Sequence, residues 1–137
     1  MIHNVWGTLA TATNARELAI FHQERCKEIE EDLFNESGRY TSRLAIAYSD
    51  LGRAKIANCS FEGVMDLFER SMKIRENLPN FDELQLYNPL RGMAMVHYYY
   101  GLQGDKQDEF CRSKAYLEKA LAVREARFGE NDIEGGR

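Results

Sequence analysis

One 28-residue stretch, Leu51 to Leu78, recurs on both sides of itself. Shifted back by 45 residues it falls on Trp6 to Leu33 without a gap. Gly52 then meets Gly7, Ala57 meets Ala12, Glu62 meets Glu17, Glu69-Arg70 meets Glu24-Arg25, and Ile74, Glu76 and Leu78 meet Ile29, Glu31 and Leu33. Shifted forward by 49 it falls on Tyr100 to Arg127, where Gly52 meets Gly101, Phe61 meets Phe110, Glu69 meets Glu118 and Arg75-Glu76 meets Arg124-Glu125. A recurrence of this length marks an array in which each unit is one supersecondary element. Such units cannot bury their apolar faces alone, so they stack on their neighbours.

The periodicity inside the units is helical. Val5, Trp6, Leu9 and Ala10 share a face over Met1 to Thr13. Asn14 reads as a break. Ala15 to Phe34 resumes as a second helix, with Leu18, Ala19, Cys26, Ile29 and Leu33 expected inward and Glu24, Lys27, Glu28, Glu30 and Glu31 outward. Asn35-Glu36-Ser37-Gly38 is a turn, with Ser37 or Thr41 as the cap of a helix over about 39–58. Ser60 is the expected cap of the next helix, whose apolar side is Phe61, Val64, Met65, Phe68, Met72 and Ile74 and which Leu78-Pro79-Asn80 stops. A connector follows, and Asn88-Pro89 forms a helix start with Pro in the first turn. Met93, Val96, His97 and Tyr100 mark its inner face. Asp108 or Glu109 opens the last helix, which carries Phe110, Tyr116, Leu117, Ala120, Leu121 and Val123 and ends near Phe128-Gly129. The expectation is an all-α single domain over 1–137: three helix-turn-helix units at about 1–36, 37–81 and 82–129, six antiparallel helices, and a fraying tail over 130–137.

The unit resembles a tetratricopeptide repeat (TPR). That pattern asks for a Leu-Gly pair, then small residues and an aromatic at set positions. The middle unit supplies Leu51-Gly52, Ala54, Phe61, Val64, Phe68 and Ser71, and the last supplies Tyr100-Gly101, Phe110, Ser113, Leu117 and Ala120. The first supplies Trp6-Gly7, Ala19 and Cys26 but has Arg16 for the aromatic and Gln23 for a bulky apolar residue. The long spacing, with Ile74-Arg75-Glu76 and Val123-Arg124-Glu125, is similar to the units of kinesin light chains and of many fungal tetratricopeptide proteins.

The resemblance implies an α-solenoid in which Gly52 and Gly101 sit where two helices touch. It also implies a concave groove lined by Asn4, Thr8 and Thr11 from the first unit, Ile46, Ser49, Asp50 and Arg53 from the middle, and Met95, Tyr98, Tyr99 and Leu102 from the last, with Arg43 and Arg91 on extra turns. Tyr98-Tyr99-Tyr100 sweeps about 200° of helix surface, so Tyr100 belongs to the core and Tyr98 or Tyr99 to the groove. The alternative, that these tyrosines only pack between helices, stays open. Chaperone-tail binding is not expected. The positions that would grip a carboxylate hold Asn4, Thr8, Asp50, Met95 and Tyr99, and Asp50 repels one.

Other functions find little in the residues. Net charge is -4, which offers no nucleic-acid footprint. No apolar run approaches the roughly 20 residues of a membrane span. His3, His22 and His97 are scattered, no phosphate loop is present, and the acids of Glu30-Glu31-Asp32 read as solvated, so neither metal nor cofactor nor catalysis is expected. Cys26, Cys59 and Cys111 are far apart and odd in number, which suits the cytosol or nucleus, and each reads as a small buried hydrophobe. Two functions remain: an interaction module for a peptide or helix, or a structural, self-associating fragment of a longer scaffold. The sequence Phe128-Gly129-Glu130-Asn131-Asp132 resembles a linker into a further unit. An uncapped end exposing Phe110, Tyr116, Val123 and Phe128 would make the chain a homo-oligomer.

Overall fold

The computed structural model describes the backbone over 5–104 and 106–135 and side-chain environments over 15–104 and 106–128. Within those residues there are five α-helices, a short 3-10 turn and no strand. They are α1 (Val5–Ser37), α2 (Ser42–Ala57), α3 (Val64–Glu76), α4 (Tyr87–Gly104) and α5 (Gln107–Gly135), with the 3-10 turn at Glu83–Leu86. The all-helical expectation holds at this level, but five helices replace the expected six.

The difference lies in α1, which runs 33 residues through Asn14 without a break. Asparagine inside a helix costs less than about 0.7 kcal/mol relative to alanine, and no Gly or Pro occurs between Thr8 and Ser37 to stop the helix. Gly38 ends it in a left-handed conformation (φ 71°), its N–H bonding to the Phe34 carbonyl at 2.7 Å. Thr41 then caps α2 by accepting the Leu44 N–H at 3.2 Å.

Other boundaries moved for local reasons. The cap of α3 is Gly63 (φ 76°), not Ser60, whose hydroxyl instead accepts from the Asn58 side chain. α4 starts at Tyr87, ahead of Asn88, because the 3-10 turn runs straight into it. Asp82 caps that turn through the Leu84 N–H at 3.0 Å and pairs with Arg127 of α5. The Leu84 N–H bond foremost, helped by Arg127, holds the Asp82 carboxyl below its ordinary pKa. α5 continues to Gly135, so residues 130–135, expected as tail, are helical, while Gly136 and Arg137 lie outside the described residues.

Each helix packs on the next along the chain, and α2 also reaches α4. Val64 and Phe68 of α3, Leu90, Met93 and Val96 of α4 and Ala120 of α5 form one buried cluster. Leu44, Tyr48 and Leu51 of α2 with Leu67 and Ile74 of α3 form a second. Two serines sit between α2 and α3. Ser71 donates to the Ala45 carbonyl at 2.8 Å and lies 2.6 Å from the Ser49 hydroxyl. Arg75 donates to both hydroxyls (3.1 and 3.2 Å) and to the Gln85 carbonyl (3.0 Å).

Gly52 and Gly101 do sit at helix contacts. A methyl group on Gly52 would stand 2.9 Å from the Phe68 ring, and one on Gly101 2.8 Å from the Phe110 ring. The partners differ from the ungapped recurrence, which pairs Phe61 with Phe110. Six residues (58–63) join α2 to α3 but only two (105–106) join α4 to α5, so Phe61 falls in a loop and Phe68 takes its place against Gly52. A third glycine, Gly92 of α4, faces the same Phe68 ring, and a methyl group there would stand 2.4 Å from Cζ.

Two apolar assignments reverse. α1 turns Ile20, Lys27, Glu30, Glu31 and Phe34 toward α2, while Leu18, Phe21, Ile29 and Leu33 face outward. On α5, Phe110, Tyr116 and Val123 are half-buried against the core, and the outward stripe is Leu117, Leu121 and Phe128. The cysteines are likewise exposed, all three free, where burial was expected.

Candidate functional site

The residues expected to line the groove can be followed one helix at a time. On α2, Arg43, Ile46, Asp50 and Arg53 recur at spacings of three and four, and all are open to solvent to some degree. Ala57 extends the stripe by one turn. On α4, Arg91, Met95, Tyr98 and Leu102 do the same, and Asn88 extends that stripe at its start. Because α2 touches α4, the two stripes lie on neighbouring helices. Between them is a cleft of about 260 Å³ lined by Arg53, Ile56 and Ala57 on one side and Asn88, Arg91, Gly92 and Met95 on the other.

Two side chains depart from the expected set. Ser49 is 3% exposed and fully engaged with Ser71 and Arg75, so it faces α3 and no ligand can reach it. Tyr99 is half-buried and stacks on Phe61 with ring centres 5.1 Å apart, filling the α2–α3 loop side. Asn4 lies outside the described residues, as do the side chains of Thr8 and Thr11. Of the tyrosine run, Tyr100 points inward, donating to the Phe61 carbonyl at 3.3 Å, and Tyr98 is the one left half in water. Comparison with protein-family models, curated proteins and solved structures returned no match to this chain.

The face is chemically mixed. Ile46 on α2 and, one turn apart on α4, Tyr98 and Leu102 are 47%, 49% and 55% exposed. The same two stripes carry three arginines and one aspartate. Asp50 lies 3.5 Å from Arg53, which leaves Arg43 and Arg91 without an ion-pair partner among the described residues. The face is thus basic on a chain that is acidic overall.

Ala57 and Asn88 belong to this face but were not singled out by sequence. The spacing was there to find them: Ala57 is four residues beyond Arg53, and Asn88 three before Arg91. Asn88 was hidden by its suitability as a helix cap, a role the preceding 3-10 turn removes.

Proposed function

We propose that the chain is an interaction module of the tetratricopeptide type, and that the α2–α4 face binds an acidic, amphipathic peptide or helix of a partner protein. The observation that carries this is that the outward stripes of α2 and α4 combine the exposed Ile46, Tyr98 and Leu102 with Arg43, Arg53 and Arg91. Each large apolar side chain left in water forgoes roughly 1.5–3 kcal/mol of burial, so a ligand that covers several gains substantially. Tyrosine and arginine are the residue types that most often anchor such contacts. The unpaired arginines select against a basic partner and favour carboxylates, with which a guanidinium makes paired hydrogen bonds. Sequential packing with an α2–α4 contact fits a solenoid, with α1 departing from the hairpin of the other units. The reading is of a binding protein and not an enzyme, working without a cofactor, in the cytosol or nucleus. Among the described residues no helix is long and apolar enough to cross a membrane.

The test is fluorescence polarisation with a labelled helical peptide carrying Leu and Phe on one face and Glu on the other. The control is the same peptide with Lys for Glu. The acidic peptide is expected to bind, and Tyr98→Ala to weaken it by roughly tenfold or more. Arg91→Glu should weaken it further at low salt than at high salt. Equal affinity for the two peptides, or an unchanged affinity in Tyr98→Ala, would overturn the reading.

A second reading, self-association, draws on the two outward apolar stripes: Leu18, Phe21, Ile29 and Leu33 on α1, and Leu117, Leu121 and Phe128 on α5. Between Arg16 and Glu36, α1 carries seven acids and three bases, whereas Asp108 to Arg127 of α5 carries four acids and five bases. That difference favours α5 of one copy stacking on α1 of the next, a head-to-tail contact. Sedimentation over a wide concentration range should show growth in mass, and Leu121→Glu should return the protein to monomer. A constant 15.8 kDa species in the parent protein would remove this reading.

A further inference from the structure

The reversed rotation of α1 has a second effect, on the opposite side of α2 from the peptide face. Among the described residues α1 approaches α2 but not α3, and the gap is a half-open cavity of about 610 Å³, where α1 and α3 end and α2 begins. Its two walls carry opposite charge. α1 supplies Glu28, Glu31 and Asp32, and α3 supplies Arg70 and Lys73. The floor is apolar and aromatic, built on Leu44, Tyr48 and Ile74 of the second core cluster, with the Phe34–Tyr40 pair stacked beside it at 4.4 Å.

Several of these groups are held in place. The Tyr48 hydroxyl donates to Glu31 at 2.7 Å, and the Arg70 guanidinium lies over the Tyr48 ring at 5.9 Å while bonded to Asp66 at 2.8 Å. Burial first, then the bond to Glu31, raises the Tyr48 pKa, so its hydroxyl stays a neutral donor. Asp32 and Lys73 are different. Both are exposed, they face the cavity from opposite walls, and neither is in an ion pair among the described residues.

We propose that this cavity binds a small zwitterion with an apolar body, of the size of a di- or tripeptide. Its ammonium would lie on the α1 wall and its carboxylate on the α3 wall. Glu28 pairs with Arg25 at 2.9 Å, Glu31 with Lys27 at 3.9 Å and Arg70 with Asp66 at 2.8 Å, so Asp32 and Lys73 are the charges left open on the two walls, and a ligand bearing both charges is matched on both sides. The apolar body continues the Leu44–Ile74 cluster and stacks beside Phe34 and Tyr40. The volume falls within the roughly 300–1,000 Å³ of small-ligand sites. The site shares no residue with the α2–α4 face, so it stands or falls independently of the peptide-binding reading.

The probe is the tripeptide Ala-Phe-Ala with free ends, titrated into the full chain and followed by amide and tyrosine NMR shifts. Its N-acetylated, C-amidated form is the comparison. Shifts should gather around Tyr40, Tyr48 and Lys73, and the doubly blocked form should bind at least tenfold more weakly, the loss of roughly one good charge contact. Asp32→Lys should turn preference toward the acetylated peptide with a free carboxylate, and Lys73→Glu toward the amidated peptide with a free amine. The double variant, with both charges exchanged, should recover the zwitterion. No shifts around Tyr48 at millimolar peptide, equal binding of free and blocked forms, or an Asp32→Lys protein with unchanged preference would each overturn the proposal. The comparison of blocked and free peptide needs only the parent protein, so a variant that fails to fold leaves the test intact.

Discussion

Alanine in place of Gly92 is expected to destabilise this protein, although glycine to alanine inside a helix ordinarily gains up to about 1 kcal/mol. The added methyl would stand 2.4 Å from Cζ and 2.6 Å from Cε2 of Phe68. The ring is fully buried with its tip against both Gly52 and Gly92, so it has little room to retreat. Overpacking of this kind costs about 1–3 kcal/mol. Phe68→Ala alone should cost about 3–5 kcal/mol through the cavity it leaves. The two changes should not add. With the ring gone, Gly92→Ala has room and recovers its helical advantage, so its effect changes sign in the Phe68→Ala background. Gly104→Ala is the control, because there the methyl meets only the flexible Lys106 side chain. Urea denaturation of the parent protein and these four variants decides the matter. A Gly92→Ala protein with a raised midpoint would mean that the ring does not lie between the two glycines.

Removing Arg75 should also cost heavily, about 1.5–3 kcal/mol, the range for hydrogen bonds to a charged donor. Its guanidinium bonds Ser71, Ser49 and the Gln85 carbonyl, joining α2, α3 and the 3-10 turn. Burial pushes its pKa down while Asp50 acts to hold it up. Arg75→Met leaves two inner hydroxyls short of a donor. Arg75→Lys keeps the charge but not the planar fork that reaches three acceptors at once, so it should rescue little. Arg124 occupies the aligned position one unit later and makes a fair comparison. It is exposed, with one long bond of 3.4 Å to the Tyr87 hydroxyl and a stacking contact at 5.5 Å, so Arg124→Met should cost under about 1 kcal/mol. Equal denaturation midpoints for Arg75→Lys and the parent protein would show that the network is not what anchors α3.

These two arginines show where the sequence could be read and where it could not. The recurrence aligned Gly52 with Gly101, and the tetratricopeptide resemblance put both at helix contacts, where they lie. The recurrence missed Gly92, which has no counterpart in the aligned stretch, and it paired Phe61 with Phe110 across loops of different length. The cap of α2 was legible only as Ser37 or Thr41, because either hydroxyl can accept a first-turn N–H and the sequence does not show which residue is extended just before the helix. The rotation of α1 was not legible. Its apolar stripe predicted which face wants burial, but among the described residues the one helix it contacts is α2, and that helix meets the flank bearing Glu31, whose carboxylate accepts from the Tyr48 hydroxyl. The exposed stripes of α2 and α4 follow the positions the tetratricopeptide resemblance implied, apart from Ser49 and Tyr99. Ser49 escaped because a serine pointing at solvent and one pointing at Ser71 look alike until the partner helix is known.

The position of Phe68 reaches further than stability. Its ring is wedged between Gly52 of α2 and Gly92 of α4, the same two helices whose outer stripes carry the arginines and Tyr98. The ring therefore works as a gauge block, setting from behind how far apart the two walls of that face stand. A leucine or tyrosine there would narrow or widen the gap without altering an outward-facing residue of either stripe. On the peptide-binding proposal, affinity and selectivity at the surface would then be adjustable from the interior, by a residue that never meets the partner.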